Sequence, residues 1–149
     1  MSVYKSQRNV AISQFTADAR ILRKETIRII KKFPTSYRWV ITNNILELAS
    51  EIYTKSLKAN AIPLTKEIRE SDLELRHRLL LETLIAAEAF AGEITLLYEM
   101  VNEGNNFFKD KEQYNKTFSN WITKVDNLLK SLNHTIQLDE NIRLSLDGE

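Results

Sequence analysis

Several residue types are absent or rare in this chain of 149 residues: it has no cysteine, two histidines, two prolines and three glycines. Without cysteine there is no disulfide, no thiolate metal ligand and no cysteine nucleophile. So little proline and glycine argues against a turn-rich β architecture, because these residues mark the turns between short strands. The length suffices for one domain with a sizeable core.

Long uninterrupted apolar segments are also missing. No apolar region of the signal-peptide type follows Met1. The richest apolar stretch, residues 79–101, is broken by four glutamates, which would be costly at membrane depth. We therefore expect a buried helix there. Together with the lack of cysteine, which fits a reducing compartment, this predicts a cytoplasmic protein.

Apolar residues recur at helical spacing in four segments. The first helix is expected to end near residue 32, because Pro34 disfavours helical backbone at Phe33, and Thr35 or Ser36 is expected to cap the second. The second, third and fourth helices are expected over about 37–60, over about 71–103 from a capping box at Ser71, and from near 110. The fourth repeats large apolar residues strictly at 4-3 spacing, as a seam against a partner helix: Tyr114, Phe118, Trp121, Val125, Leu128 and Leu132.

These segments predict an all-α fold, an antiparallel up-down-up-down four-helix bundle over residues 1–134. The apolar pattern weakens after Asn133, so residues 135–149 are expected to form an acidic, flexible tail. The second helix has two neighbouring apolar arcs, and one arc comprises Trp39, Leu46, Ala49, Tyr53 and Leu57. So wide an apolar surface fits either a homo-oligomer or a broad bundle interior, and the pattern leaves both open.

Helical bundles sometimes hold two metal ions, and such sites need a defined set of Glu and His ligands. Glu74 and His77 match one Glu-x-x-His motif, but a di-iron site needs a second. The other histidine, His134, has Ser131 three residues before it. There is no Gly-x-Ser-x-Gly motif and no phosphate-binding P-loop. The sequence therefore predicts no metal, no cofactor and no enzymatic activity.

Charge is distributed unevenly, although the net charge is only +1. Residues 1–38 contain nine Lys/Arg and two Asp/Glu, and the remainder carries an excess of acids. We call seven of these cations the basic stripe and predict them to be nucleic-acid-binding: Arg20, Arg23, Lys24, Arg28, Lys31, Lys32 and Arg38. Helix-borne cations at this spacing can follow a phosphate backbone. They could equally pair with the acidic second and third helices or with an acidic protein.

Short motifs add a family resemblance. The corner Phe33-Pro34-x-x-x-Arg38-Trp39, the helix end Lys58-Ala59-Asn60, and the helix starts at 70–76 and 111–114 resemble the four-helix-bundle family of accessory variability determinant proteins of diversity-generating retroelements. That family also includes proteins encoded in ribosomal RNA intervening sequences. The stretch 128–132 departs from the Gly-Gly-Trp-like end of helix four that family members often have.

The resemblance implies a function that the residue pattern alone does not. It implies a homopentamer whose basic surface binds RNA and the element's reverse transcriptase. By this resemblance the chain would be a non-enzymatic nucleic-acid-binding accessory protein that assists a reverse transcriptase. The alternative is a protein–protein interaction module, an oligomeric scaffold whose basic face binds an acidic protein partner.

Overall fold

The computed structural model describes residues 13–103 and 110–147. Within these ranges the chain is helical and contains no strand, which confirms the all-α prediction. The four long helices are α1 (Gln14–Ile30), α2 (Asn43–Asn60), α3 (Glu70–Glu103) and α4 (Lys111–Asp147). At 1.5 Å per residue, α3 and α4 are about 50–55 Å long and about twice the length of α1 and α2. None of the helices in the described ranges combines the length and hydropathy needed to cross a bilayer.

One hydrophobic core joins the four helices. α1 packs against α2 and α4, and α3 packs against the same two helices. The predicted α4 seam is confirmed, since all six of its residues are buried. Trp121 of this seam contacts two other helices. Its ring packs edge-on against Phe90 of α3, with ring centroids 6.1 Å apart, and its Nε1–H donates to Thr26 Oγ1 of α1 at 3.0 Å.

A buried ion pair holds the far end of α4. Arg76 of α3 donates from Nε to Asp139 Oδ2 at 2.6 Å, and both side chains are nearly inaccessible to solvent. The Arg76 Nη1 also donates to the carbonyls of Ala59 and Ile62, at and beyond the end of α2. Its guanidinium lies 6.0 Å from the ring centroid of Phe15 on α1. One side chain therefore touches all four helices.

The predicted flexible tail is wrong for residues 135–147, which continue α4. The 4-3 spacing continues from Leu132 through Thr135 to Asp139, so Asp139 occupies the second seam position after Leu132. The seam continues there with a carboxylate in place of a hydrocarbon, because Arg76 neutralises it. Residues 148 and 149, and residues 1–12 at the other end of the predicted bundle domain, lie outside the described ranges.

Helix ends agree with the sequence in part. The Gln113 amide donates to Asp110 Oδ1 at 2.6 Å, which confirms the start predicted near 110. The capping box at Ser71 is wrong: α3 starts one residue earlier, and the Arg69 carbonyl accepts from the Asp72 and Leu73 amides.

The corner after α1 is more irregular than predicted. α1 ends at Ile30, and a 3₁₀ turn follows over Thr35–Tyr37 without any side-chain cap. The expected capping by Thr35 or Ser36 is therefore wrong. A π-helical turn, Arg38–Thr42, then leads into α2, and the Asn43 amide donates to the Arg38 carbonyl five residues back. We call residues 31–42 the corner.

Candidate nucleic-acid interface

The structure places the basic stripe on the outer side of α1 and on the corner. α1 buries Phe15, Leu22 and Ile29 on its opposite side. Because an α-helix turns 100° per residue, Arg20, Lys24 and Lys31 share one outward face. Six of the seven cations are exposed, and these are Arg20, Lys24, Arg28, Lys31, Lys32 and Arg38.

Two members of the stripe already have partners within the chain. Arg23 is only half exposed, and its guanidinium lies 5.6 Å from the ring centroid of Tyr53 on α2. Arg28 forms an ion pair with Glu25 one turn back, and this hydrogen bond raises the pKa of Arg28. Arg23 therefore holds α1 to α2, and Arg28 is partly neutralised.

The remaining five cations face solvent. In residues 13–103 and 110–147, no ion pair involves Arg20, Lys24, Lys31, Lys32 or Arg38. The sequence offered the acids of α2 and α3 as intramolecular partners. Two of those acids, Glu51 and Glu82, instead bind Lys55, at 2.7 and 3.1 Å. The free charge of the stripe thus stays available for another molecule.

A groove of about 240 Å³ lies where α1 meets the corner, and we call it the corner groove. Two cations line it: Lys31, which precedes Pro34 in the sequence, and Arg38, which follows it. Its other lining residues are apolar or carry hydroxyl and amide groups: Ile27, Ile30, Phe33, Pro34, Thr35, Thr42, Asn43 and Leu46. It therefore combines two cations with an apolar surface.

The groove has a firm base. The Phe33 ring packs edge-on against Tyr37 at 5.7 Å and against Phe118 of α4 at 6.5 Å. Phe118 in turn contacts the rings of Tyr98 and Tyr114 at 5.2 and 5.1 Å. This aromatic cluster ties the corner to the core.

Sequence reasoning missed one residue of this surface. The sequence pattern places Trp39 on an apolar arc of the second helix, yet Trp39 is 85% exposed, and Val40 beside it is 68% exposed. The arc assumed regular α-helical spacing. The π turn inserts one extra residue, which rotates Trp39 by roughly 100° relative to α2. The corner therefore presents an indole beside its cations.

The Glu-x-x-His motif lies elsewhere. Glu74 and His77 line a cleft of about 250 Å³ between the start of α3 and the end of α4, where Glu140 and Arg143 also face it. Across residues 13–103 and 110–147, no three His, Cys, Asp or Glu side chains cluster closely enough to hold a metal ion. The motif thus gains no third ligand from the fold.

Comparison with known proteins adds no relative: no family model, no curated protein and no solved structure matches this chain.

Proposed function

We propose that the chain is a non-enzymatic protein that binds RNA or DNA through the basic stripe. The observation that carries this proposal is that five exposed cations along α1 and the corner have no acidic partner among the described residues. Cations on a helix face recognise a phosphate backbone by charge and need no base-specific contact. Binding of this kind is strong at low salt and tolerant of sequence.

The dimensions of the stripe suit a nucleic-acid strand. Arg20 and Lys31 are eleven residues apart on or next to α1, which corresponds to about 17 Å along the helix axis. One strand of a duplex places a phosphate about every 3.4 Å along the axis, so this length spans about five phosphates. Arg38 extends the positive surface beyond the end of α1.

We also infer an antiparallel up-down-up-down arrangement of the four helices. The Ser13 amide, just before α1, donates to Asn60 Oδ1 at the end of α2, at 3.2 Å. Arg76 near the start of α3 bonds to Asp139 near the end of α4. In each pair the start of one helix lies beside the end of its neighbour. This supports opposite directions for the two helices, as in bundles with short connections.

Assembly into a homo-oligomer, a pentamer by the family resemblance, is part of the same proposal. An apolar stripe runs along the outer face of α3, and its members are Leu81, Ile85, Ala89, Gly92 and Leu96. All five are exposed in the single chain, and Ile85 is 67% exposed. We call this the α3 stripe. Light scattering that gives 17.4 kDa, the mass of one chain, at micromolar concentration would contradict assembly.

The more specific role rests on the family resemblance alone. By that resemblance the chain is an accessory protein that supports a reverse transcriptase within a diversity-generating retroelement, and the composition of the chain fits a cytoplasmic location for it. Copurification of a reverse transcriptase encoded beside this chain would support the role. A protein that binds nucleic acid but no such polymerase would keep the binding function and lose the role.

The alternative partner is an acidic protein. Ile21 and Ile27 are exposed within or beside the basic stripe, at 47% and 39%. Apolar side chains among cations are typical of protein–protein surfaces, where the central contacts are largely apolar. Nucleic acid is the favoured partner because the surface has five cations without an ion pair and only two exposed isoleucines.

The test uses two variants of equal charge change. Arg20, Lys24 and Lys31 are changed to Gln in the first, and Lys111, Lys116 and Lys130, exposed cations of α4, are changed to Gln in the control. Fluorescence anisotropy with a labelled 20-mer then gives affinity against salt concentration. Losing three phosphate contacts should reduce the log–log salt slope by about 2–3 and leave the control near the parent.

Two outcomes of this experiment would contradict the proposed contact surface. If both variants bind as the parent does, or if both lose affinity equally, the basic stripe is not the contact surface. Circular dichroism and light scattering on each variant establish that fold and assembly are intact. If the parent itself does not bind RNA or DNA at 50 mM salt, nucleic-acid binding is rejected and the acidic-protein alternative takes its place.

A further inference from the structure

Among the described residues, Trp39 is the most exposed large apolar side chain, at 85%. A single exposed apolar residue needs no explanation on most protein surfaces. Trp39 differs because it directly follows a cation, Arg38, which lines the corner groove together with Lys31. The nearest acid along α1, Glu25, is engaged by Arg28.

The backbone that carries the indole is hydrogen-bonded and tied to the core. It lies within the π turn, whose Asn43-to-Arg38 hydrogen bond continues into α2. The preceding Phe33 and Tyr37 rings anchor the corner to the core. An aromatic ring on a fixed backbone loses little freedom when a flat ligand stacks on it, since it has only two side-chain torsions to order.

Taking the proposed nucleic-acid binding as given, we propose that the ligand is single-stranded at the corner, with an unpaired base stacked on Trp39 and its flanking phosphates bound by Lys31 and Arg38. Proteins that hold single strands combine a positive groove with aromatic side chains that stack on the bases. In a duplex the faces of the bases are covered by their neighbours, so Trp39 would add little to duplex binding. The charge of the groove favours this occupant over an apolar protein segment.

The proposal predicts a selective effect of Trp39→Ala. A labelled single-stranded dT 12-mer should bind roughly tenfold more weakly, in line with the loss of one stacked base. A duplex of the same length should bind as it does to the parent, because the cations are unchanged. Trp39→Phe should retain most of the single-strand affinity, and Val40→Ala, at the exposed neighbouring position, serves as the matched control.

Tryptophan fluorescence gives a direct signal of stacking. The chain has two tryptophans, and Trp121 is fully buried, so quenching by added dT 12-mer should come from Trp39. In Trp39→Phe, where only Trp121 emits, the same titration should leave the emission unchanged.

Three results would overturn the proposal. If Trp39→Ala binds the single strand as tightly as the parent does, while the Gln variant of the basic stripe binds weakly, nucleic-acid binding stands and stacking is wrong. If light scattering shows the parent as an oligomer and the Trp39→Ala variant as a monomer, the indole is a subunit contact and does not stack on a base. If the parent binds neither single strand nor duplex, the proposed function itself fails, and the stacking proposal fails with it.

Discussion

Changing Asp139 to Ala tests the buried ion pair that joins α3 to the end of α4. The substitution leaves the Arg76 guanidinium buried, with two backbone carbonyls as its remaining acceptors. Removing one partner of a buried ion pair costs about 3–5 kcal/mol, because the other charge stays desolvated. In a chain of this size, that loss should lower the Tm by about 6–20 °C.

Urea unfolding followed by circular dichroism, at one fixed protein concentration, measures the loss. Asp126→Ala removes an exposed acid from the same helix and should change the free energy of unfolding by less than about 0.5 kcal/mol. The double variant Arg76→Met, Asp139→Leu should recover most of the stability, because apolar residues of similar volume often replace a buried pair without loss.

A small effect would refute the reasoning. If Asp139→Ala lost less than about 1 kcal/mol, the ion pair would behave like an exposed one. The segment after Asn133 would then fray in solution, as the sequence alone predicted. A double variant no more stable than Asp139→Ala would show that the charges are needed for a reason other than mutual neutralisation.

Three further predictions concern the core. Thr26→Val leaves the buried Trp121 Nε1–H without its acceptor and should cost about 1–3 kcal/mol in urea unfolding; unchanged stability would contradict that bond. Phe118→Ala should cost about 3–5 kcal/mol by opening a cavity under the corner, and a loss below 1 kcal/mol would show that the corner is not anchored there. Burial and the Tyr98 phenol raise the pKa of Tyr114 to about 12. The raised pKa therefore stabilises the fold below about pH 10, and this contribution is lost as the pH rises towards 12. In Tyr114→Phe the free energy of unfolding should fall less over that pH range. An identical fall in both proteins would contradict the shift.

Periodicity predicted the fold well where the core is hydrocarbon. The α4 seam could be read from spacing because each of its six positions holds a large apolar residue. The end of α4 could not, because Asp139 continues the seam as an acid. Its partner, Arg76, is 63 residues away in sequence. A pattern within one helix carries no information about a charge supplied by another helix.

The candidate site was predicted in outline. Composition located the cations, and their helical spacing indicated that they could follow a phosphate backbone. The contact of Arg23 with Tyr53 depends on how α1 and α2 pack, which no local pattern encodes. Trp39 was misplaced because one extra residue in the π turn shifts the helical phase, and this sequence has no proline or glycine within 38–42 to mark the irregularity.

Gly92 affects both the stability of the isolated chain and how closely a second helix can approach α3. A Cβ added at this position would meet nothing within 4 Å in the single chain, so the packing of the chain does not require glycine. Glycine at an exposed site inside a helix is about 1 kcal/mol less favourable than alanine. The isolated chain would therefore be more stable with alanine, whereas a neighbouring backbone can come nearest to α3 where the side chain is absent. At this one residue, the stability of the isolated chain favours alanine, whereas the closest approach of a second helix favours glycine.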